Sequence, residues 1–430
     1  MSRLKGFQDL MPAVMEVRWR IIEVVVQMGK RSGFKLMDTP TLEYYRTLVG
    51  DNDLGETIKQ VYRFTDGGGR DVGLRFDLTV PFARFVAEHQ HELIFPFKRI
   101  QFGDVFRGEK PQMERGRFRQ FCQCDFDIVG VDGGSADAEV VALAYTSLQA
   151  LGAGEFTIAL NDRQITLALV RRLMPKLDAV AMDKVLIAID KLAKVGRERV
   201  LASIVTITNA QVAAVEELLA LLTLGDQLPL SEYSQAGVQE RWQRLVSTRA
   251  EILAMSGGQP HEVVIDLAIV RGLGYYTGIV FETELRAAAE LGSVCSGGRY
   301  ADLVSRFANK PCAGVGGSIG VDRLAMHLAA QSASPPTTLM LAVVATTARE
   351  YAYQVARDLR SNGIAIDVDV SGKGLKQQLR YAHRQGYRKV LIVGSKEADT
   401  ATVTVRDMET GTEQVLDLQE LGGILALLHK

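Results

Sequence analysis

The sequence predicts a mixed α/β fold in two units, and three observations predict it. From Val61 to about Val129 the chain is rich in strand-forming residues and turn signals, and strand signals return at Val263. From Arg163 to about Met255 the pattern is nearly all helical, rich in Ala, Leu and Val. Beyond Ser332-Ala333-Ser334-Pro335-Pro336, strand and helix patterns alternate. The expected organisation is a large domain over 1–330 carrying a helical insertion at about 163–257, a linker at 331–337, and a smaller α/β domain over 338–430.

Composition narrows the classes. A chain of 430 residues, 47% hydrophobic and 23% charged, buries a large core without disulfides or a structural metal. Its 50 Lys and Arg against 51 Asp and Glu leave a formal charge of −1, so any nucleic-acid contact rests on local basic patches. The four cysteines (Cys122, Cys124, Cys295, Cys312) lack zinc-site spacing and are expected as buried free thiols. No signal-peptide core opens the chain, and no apolar run reaches the roughly 18–20 residues of a membrane span. The expectation is a soluble, cytoplasmic protein with no membrane association and no resident metal.

Taken in order, apolar positions at helical spacing (Val14, Val17, Ile21, Val25, Met28) predict a helix over 13–32, stopped by Gly33. A short strand follows at Phe34–Met37, ended by Pro40. Strands are expected at 62–64, 74–76, 100–102 and 126–128, with a hairpin turn at glycines 67–69 and a helix opened by Pro81 over about 81–89. A helix at 134–151 and a strand at 157–160 precede the insertion. After it come strands at 263–266 and 279–282, then a glycine-punctuated stretch around 314–320 leading into a helix that ends near Gln331. In the second unit strands at 339–345, 364–369 and 389–393 alternate with helices at 348–362 and 373–385, which predicts a mostly parallel sheet.

Chemistry concentrates in a few segments. Phe106 to Phe121 holds five cations in sixteen residues, with Pro and Gly at its centre. It reads as a hairpin whose arginines suit bidentate phosphate contacts, or as a solvated basic turn. The strand after it alternates Gln123, Asp125 and Asp127 with Cys124, Phe126 and Ile128, so one face carries a polar row that must meet water or a ligand. Asp77 sits in an equally apolar setting, where it holds a ligand ammonium or caps the helix at Pro81. Arg271, Tyr275 and Tyr276 share a glycine-rich loop, and Arg299 and Arg323 also lie beside glycines. Three such arginines plus the basic hairpin suggest a polyphosphate site; neither a Walker A pattern nor a dinucleotide-binding G-x-G-x-x-G is present. In the second unit, Lys373, Lys376, Arg380 and Arg384 recur at helical spacing beside Tyr381, His383 and Tyr387. That suits an RNA backbone and unstacked bases, or an ordinary solvated helix face.

Together these segments resemble the histidyl-tRNA synthetase family of class II aminoacyl-tRNA synthetases. The helix and strand ending at Pro40 resemble motif 1, Phe106–Gly130 motif 2, and Gly317–Leu324 motif 3. Arg271–Gly278 and Ser296–Tyr300 are similar to the two histidine-specific signatures, and the match runs in order along essentially the whole chain. The resemblance implies an antiparallel class II sheet with flanking helices, a C-terminal anticodon-binding domain and a homodimer. It also implies ATP as substrate with Mg²⁺, histidine, and tRNA(His) as partner.

Residue by residue, it implies a histidine pocket of Asp77, Leu78, Thr79, Arg107, Gln123, Asp127, Arg271, Tyr275 and Tyr276. Asp127 and Tyr276 would read the imidazole, which offers one donor and one acceptor, while Asp77 and Gln123 hold the α-amino group. Arg107, Arg117 and Arg323 would bind ATP, and Arg271 and Arg107 would be catalytic. Gln112 would touch the acceptor end of tRNA, and Lys373, Lys376, Arg380 and Arg384 the anticodon region. The chain departs from the family at Gly274, where Asp is usual, and at Ala301-Asp302, where Asp-Gly is usual. A silent paralogue of the same fold, serving as the regulatory subunit of ATP phosphoribosyltransferase, generally lacks the anticodon domain and erodes motif 2 or the arginine loop. Here Arg107, Arg271 and Arg323 are all present. A pure RNA-binding module needs no such arginine–carboxylate set.

Overall fold

The computed structural model describes residues 2–50, 60–228, 237–270, 275–308, 310–331 and 339–417. Contacts divide the chain into two units, Met1–Gln331 and Ser332–Lys430. The segment 332–336, expected as a linker, lies outside the described residues.

The first unit opens with helix α1 (Pro12–Arg31), whose buried residues Ile21, Ile22, Val25, Val26 and Gly29 form one face. Gly33 then turns the chain at φ +80°, a conformation costly for any residue with a Cβ, into strand β1 (Lys35–Leu36). Strand β2 (Leu42–Tyr44) and helix α2 (Tyr45–Val49) follow. The hairpin of β3 (Arg63–Thr65) and β4 (Asp71–Leu74) completes a small antiparallel sheet, order β2-β4-β3. The expected glycine turn is here, with Asp66 accepting from the N–H groups of Gly68 and Arg70. Arg75 and Phe76, expected in the strand, lie beyond it: Arg75 is buried and donates to the carbonyls of Thr39 and Asp104. Helix α3 (Thr79–Glu88) starts two residues ahead of Pro81, because Asp77 accepts the Val80 N–H at 2.9 Å.

Strands β5 (Phe97–Phe106) and β6 (Gln120–Val129) form a long antiparallel hairpin, paired from Phe97↔Val129 to Phe106↔Gln120. Helix α4 (Gly134–Leu151) and strand β7 (Phe156–Asp162) lead into the helices α5 (Arg163–Leu173), α6 (Ala179–Ile189), α7 (Leu192–Val195), α8 (Arg197–Thr208), α9 (Val212–Leu222) and α10 (Val238–Ser256). The chain returns through β8 (Val263–Ile265), β9 (Ile279–Leu285), β10 (Cys295–Tyr300) and β11 (Gly314–Gly320) to helix α11 (Val321–Gln331).

These strands make one eight-stranded sheet, order β1-β5-β6-β11-β10-β9-β7-β8. Only the two edge pairs, β1 with β5 and β7 with β8, are parallel. Because β7 and β8 are neighbours (Leu160↔Ile265), everything from α5 to α10 is one long crossover between adjacent strands. The core joins Ile21 and Val25 of α1, Ile100 of β5, Phe126 of β6 and Leu148 of α4 to Leu169, Leu218 and Leu245 of the crossover. Each such side chain contributes about 1.5–3 kcal/mol on burial. No helix among the described residues is long and apolar enough to cross a membrane.

The second unit holds β12 (Leu339–Val343), α12 (Arg349–Ser361), β13 (Ile366–Val368), α13 (Leu375–Gln385), β14 (Lys389–Val393), α14 (Ser395–Thr400), β15 (Thr402–Asp407) and β16 (Glu413–Asp417). Its sheet order is β13-β12-β14-β15-β16. The expectation of a mostly parallel sheet is corrected here: β13, β12 and β14 are parallel, but β15 and β16 run antiparallel. A parallel return needs a crossover of a dozen or more residues. The eight residues between β14 and β15, and the five between β15 and β16, are too few.

Candidate active site

The polar row of β6 faces a cavity of about 280 Å³, lined by Gln123, Asp125 and Asp127, while Cys124, Phe126 and Ile128 enter the core behind it. Neighbouring β11 sets Gly316 opposite Asp127 and Gly320 opposite Gln123, with Ser318 opposite Asp125. A Cβ on Gly316 would lie 1.9 Å from Asp127 Oδ1, so only glycine leaves that carboxylate its place.

Fully buried Arg99 of β5 anchors the cavity wall. Its Nη2 stands 2.8 Å from Asp127 Oδ2 and 3.9 Å from Asp125 Oδ2, and it donates to the Leu78 carbonyl at 3.3 Å. The guanidinium lies over the Phe82 ring, 4.5 Å from its centroid. Tyr300 donates to Asp127 Oδ1 at 2.6 Å. Burial pushes Asp77, Asp125 and Asp127 above the ordinary carboxylate range, against the pull of Arg99. Asp125, which also faces the Asp127 charge, reaches about 7. On β11, Ser318 accepts from Gln123 Nε2 at 2.8 Å.

Tyr275 and Tyr276 line the cavity with ring centroids 4.8 Å apart. The segment before them is held by Asn161, whose amide donates to the carbonyls of Leu267 and Ile269, and by Thr166. The segment after is held by Arg163 and Gln164, donating to the carbonyls of Tyr276 and Thr277. The first turn of the helical insertion therefore fixes both flanks of the tyrosine loop.

Arg107, Arg117 and Arg323 line the same cavity. Arg107 donates to the Phe76 carbonyl and lies over the rings of Phe76 and Phe121, 4.3 and 5.1 Å from their centroids. Arg323 donates to the Ser293 carbonyl, and its neighbour Asp322 accepts the Cys122 N–H. Both arginines are thus pre-oriented, as recognition of a phosphate requires.

Of the expected site residues, Asp77, Thr79, Gln123 and Asp127 join the two tyrosines and three arginines in the cavity. Leu78 does not: its side chain is fully buried elsewhere and only its carbonyl reaches Arg99. Arg271 and Gly274 lie outside the described residues. Gln112 sits in the basic hairpin, bridged to the Arg117 backbone and outside the cavity lining. Arg299, expected to join a polyphosphate site, is corrected: it is buried against Asp137 at 2.7 Å and donates to the carbonyls of Val131 and Gly133. A glycine neighbourhood cannot reveal that its counter-charge lies on helix α4.

Other lining residues escaped the sequence reading. Lys194 of the insertion and Glu282 and Glu284 of β9 all reach the cavity. Burial and the Glu282 charge raise Glu284, while Lys194 pulls it down. The glutamates betray themselves by alternation on β9; Lys194 carries no local signal. None of the four cysteines is in a disulfide, and all four are buried.

In the second unit a groove is lined by Lys373, Arg380 and Arg384 with Tyr381 and Gln377, facing Asp367 and Asp369. Lys376 is exposed but outside that lining. Tyr387 donates to Asp367 at 2.6 Å, which fixes one wall.

Residues 6–324 match the family model for histidyl-tRNA synthetase, and residues 338–426 that for an anticodon binding domain. The chain is 38% identical to a histidine–tRNA ligase of Helicobacter hepaticus over 95% of both chains. It is also 38% identical to one of Rhodopirellula baltica, over 96% of this chain and 94% of that one. The crystal structure of histidyl-tRNA synthetase from Nostoc sp. PCC 7120 superimposes with a TM-score of 0.83 at 27% identity, covering 99% of each chain. With both units matched in order and a site that joins carboxylates and tyrosines to arginines, the chain belongs to the histidyl-tRNA synthetase family.

Proposed function

We propose that the cavity of the first unit activates histidine with ATP and then transfers it to tRNA(His), the reaction of a histidine–tRNA ligase. The observation that carries this reading is the single cavity in which the Asp77, Asp125 and Asp127 carboxylates and a tyrosine pair meet Arg107, Arg117 and Arg323. An amino acid with an ammonium group and a ring N–H suits the first set, and a polyphosphate suits the second.

Asp77 and Gln123 hold the α-amino group, Thr79 lies beside them, and Asp127 and Tyr276 read the imidazole. A pocket that hydrogen-bonds its substrate's polar groups rejects apolar isosteres by roughly 10⁴–10⁵. Arg107 binds the α-phosphate and Arg323 the γ-phosphate. The histidine carboxylate oxygen bonds to the α-phosphorus and pyrophosphate leaves. Arg107 and Arg271 stabilise the charge that builds there. The terminal ribose hydroxyl of tRNA then attacks the adenylate carbonyl and AMP leaves. Among the described residues no group of three or more metal-ligating side chains is assembled. Mg²⁺ would arrive with ATP, and Glu282 and Glu284 offer the hard oxygen donors it takes.

Gln112 contacts the acceptor end, and Lys373, Lys376, Arg380 and Arg384 the anticodon region. The protein acts in the cytoplasm as a homodimer, joined through the motif 1 elements α1 and β1. The test is ATP–pyrophosphate exchange across the amino acids with native protein and Arg271→Ala. Exchange with histidine alone, lost in the variant, is expected. No exchange from folded protein that binds histidine would overturn the reading.

A further inference from the structure

Asp127 accepts the Tyr300 hydroxyl on Oδ1, and its Oδ2, though without a hydrogen bond, is ion-paired with Arg99 at 2.8 Å. Asp77 spends Oδ1 on the Val80 N–H. Asp125 differs. It is 2% exposed, lines the cavity, and its Oδ1 meets no donor among the described residues. A buried carboxylate oxygen without a partner is costly unless a ligand supplies the donor.

Among the described residues, carboxylates also outnumber guanidiniums around it. Asp77 and Asp127 both face it, and the guanidinium nearest to it is that of Arg99, already closer to Asp127. Arg107 acts on Asp77. Ser318 of β11 offers a neutral hydroxyl, and Tyr275, next to the β9 strand, a neutral phenol that burial holds protonated. Among the described residues, the guanidiniums acting on these three buried carboxylates are those of Arg99 and Arg107.

We infer that Asp125 is a further specificity-determining residue: it holds the α-ammonium group of histidine, and its carboxyl gives up a proton to solvent as the ammonium enters. This rests on the histidine-pocket reading above. It places the ammonium among Asp77, Gln123 and Asp125, which lie next to one another on the cavity wall. The proton follows from the same burial that raises the Asp125 carboxyl to about 7: an ammonium alongside restores the ionised form.

The test compares native protein with Asp125→Asn, a near-isosteric change that mimics the protonated carboxyl. Calorimetric titrations use histidine and imidazolepropionate, which is histidine without its amino group, in two buffers of different ionisation enthalpy at pH 7. The variant is expected to bind histidine about 10- to 100-fold more weakly. Imidazolepropionate should bind native and variant alike, or the variant more tightly. The native protein should release a fraction of a proton on binding histidine beyond what the variant releases. Equal weakening of both ligands would make Asp125 a scaffold residue and overturn the inference, as would unchanged histidine affinity. If native protein binds no histidine at all, the pocket reading falls with it; if native binds and only the variant comparison fails, the pocket stands and Asp125 is cleared of the role.

Discussion

Arg163, the first residue of the helical insertion, donates from its half-buried guanidinium to the backbone carbonyl of Tyr276 at 3.2 Å. The same residue's N–H reaches the Gly278 carbonyl. The insertion therefore grips the tyrosine loop at its base. Arg163→Ala removes one such hydrogen bond, worth about 0.5–1.5 kcal/mol. The expected outcome is a KM for histidine raised about 2- to 12-fold in pyrophosphate exchange, with the KM for ATP little changed. An equal rise in both would mean that the loop is not the element affected.

Gly316→Ala places a methyl group inside the Asp127 carboxylate, whose Oδ1 would be 1.9 Å away. The carboxylate must swing from Arg99 and Tyr300, leaving buried charges unpartnered. Histidine-dependent exchange should fall at least about 100-fold, and circular dichroism should still report a folded sheet. Retained activity would show that the wall yields and that Asp127 has no fixed part.

Stability should depend on pH in a defined direction. The Asp125 carboxyl titrates near 7 in the folded protein, against about 3.9 for an unfolded aspartate. Between those values the folded chain binds more protons than the unfolded one, so stability falls as pH rises through this window. Asp77 and Asp127, also raised by burial, add to the same trend. Asp125→Asn keeps the neutral form throughout. Without ligand, its melting temperature should drop less than that of the native protein between pH 5 and pH 8. A larger drop in the variant would show that the charged carboxyl stabilises the fold.

Arg107→Lys keeps a positive charge but loses the planar group seated on Phe76 and Phe121 and the bond to the Phe76 carbonyl. The exchange rate should fall by about 10²-fold or more, as for loss of a preorganised charge donor. A lysine enzyme near native rate would mean that charge alone suffices.

The groove of the second unit predicts a separable defect. Arg380→Ala with Arg384→Ala should raise the KM for tRNA in aminoacylation about 10-fold, because each removes a phosphate-competent cation. Pyrophosphate exchange, which needs no tRNA, should keep its rate. Equal loss in both assays would assign the arginines to folding.

The polar row of β6 was legible because a strand has a period of two, and Gln123, Asp125 and Asp127 can share a face only by facing the same thing. The same period marks Arg99 and Gln101 against Ile100 and Phe102 on β5. Yet a buried counter-ion is recognised only once β6 is known to lie alongside. Asp77 shows why its two readings could not be separated from sequence: it accepts the Val80 N–H at the start of α3 and also lines the cavity. Arg299 shows the limit, since its glycine setting resembles that of Arg323 while its partner Asp137 lies 162 positions earlier. Lys194 was invisible for a similar reason, because only the packing of the crossover helices brings α7 over the cavity.

The connection between β7 and β8 bears on ancestry. Since these strands are parallel neighbours, the helices between them hang from two fixed points of the sheet. Doubling the length of such a segment adds only about 0.6 kcal/mol of closure entropy, so lineages are free to lengthen, trim or exchange it. What they are not free to discard is its first turn: Arg163, Gln164 and Thr166, with Asn161 of β7 just ahead of them, hold the tyrosine loop, and any replacement module must inherit that hinge pin.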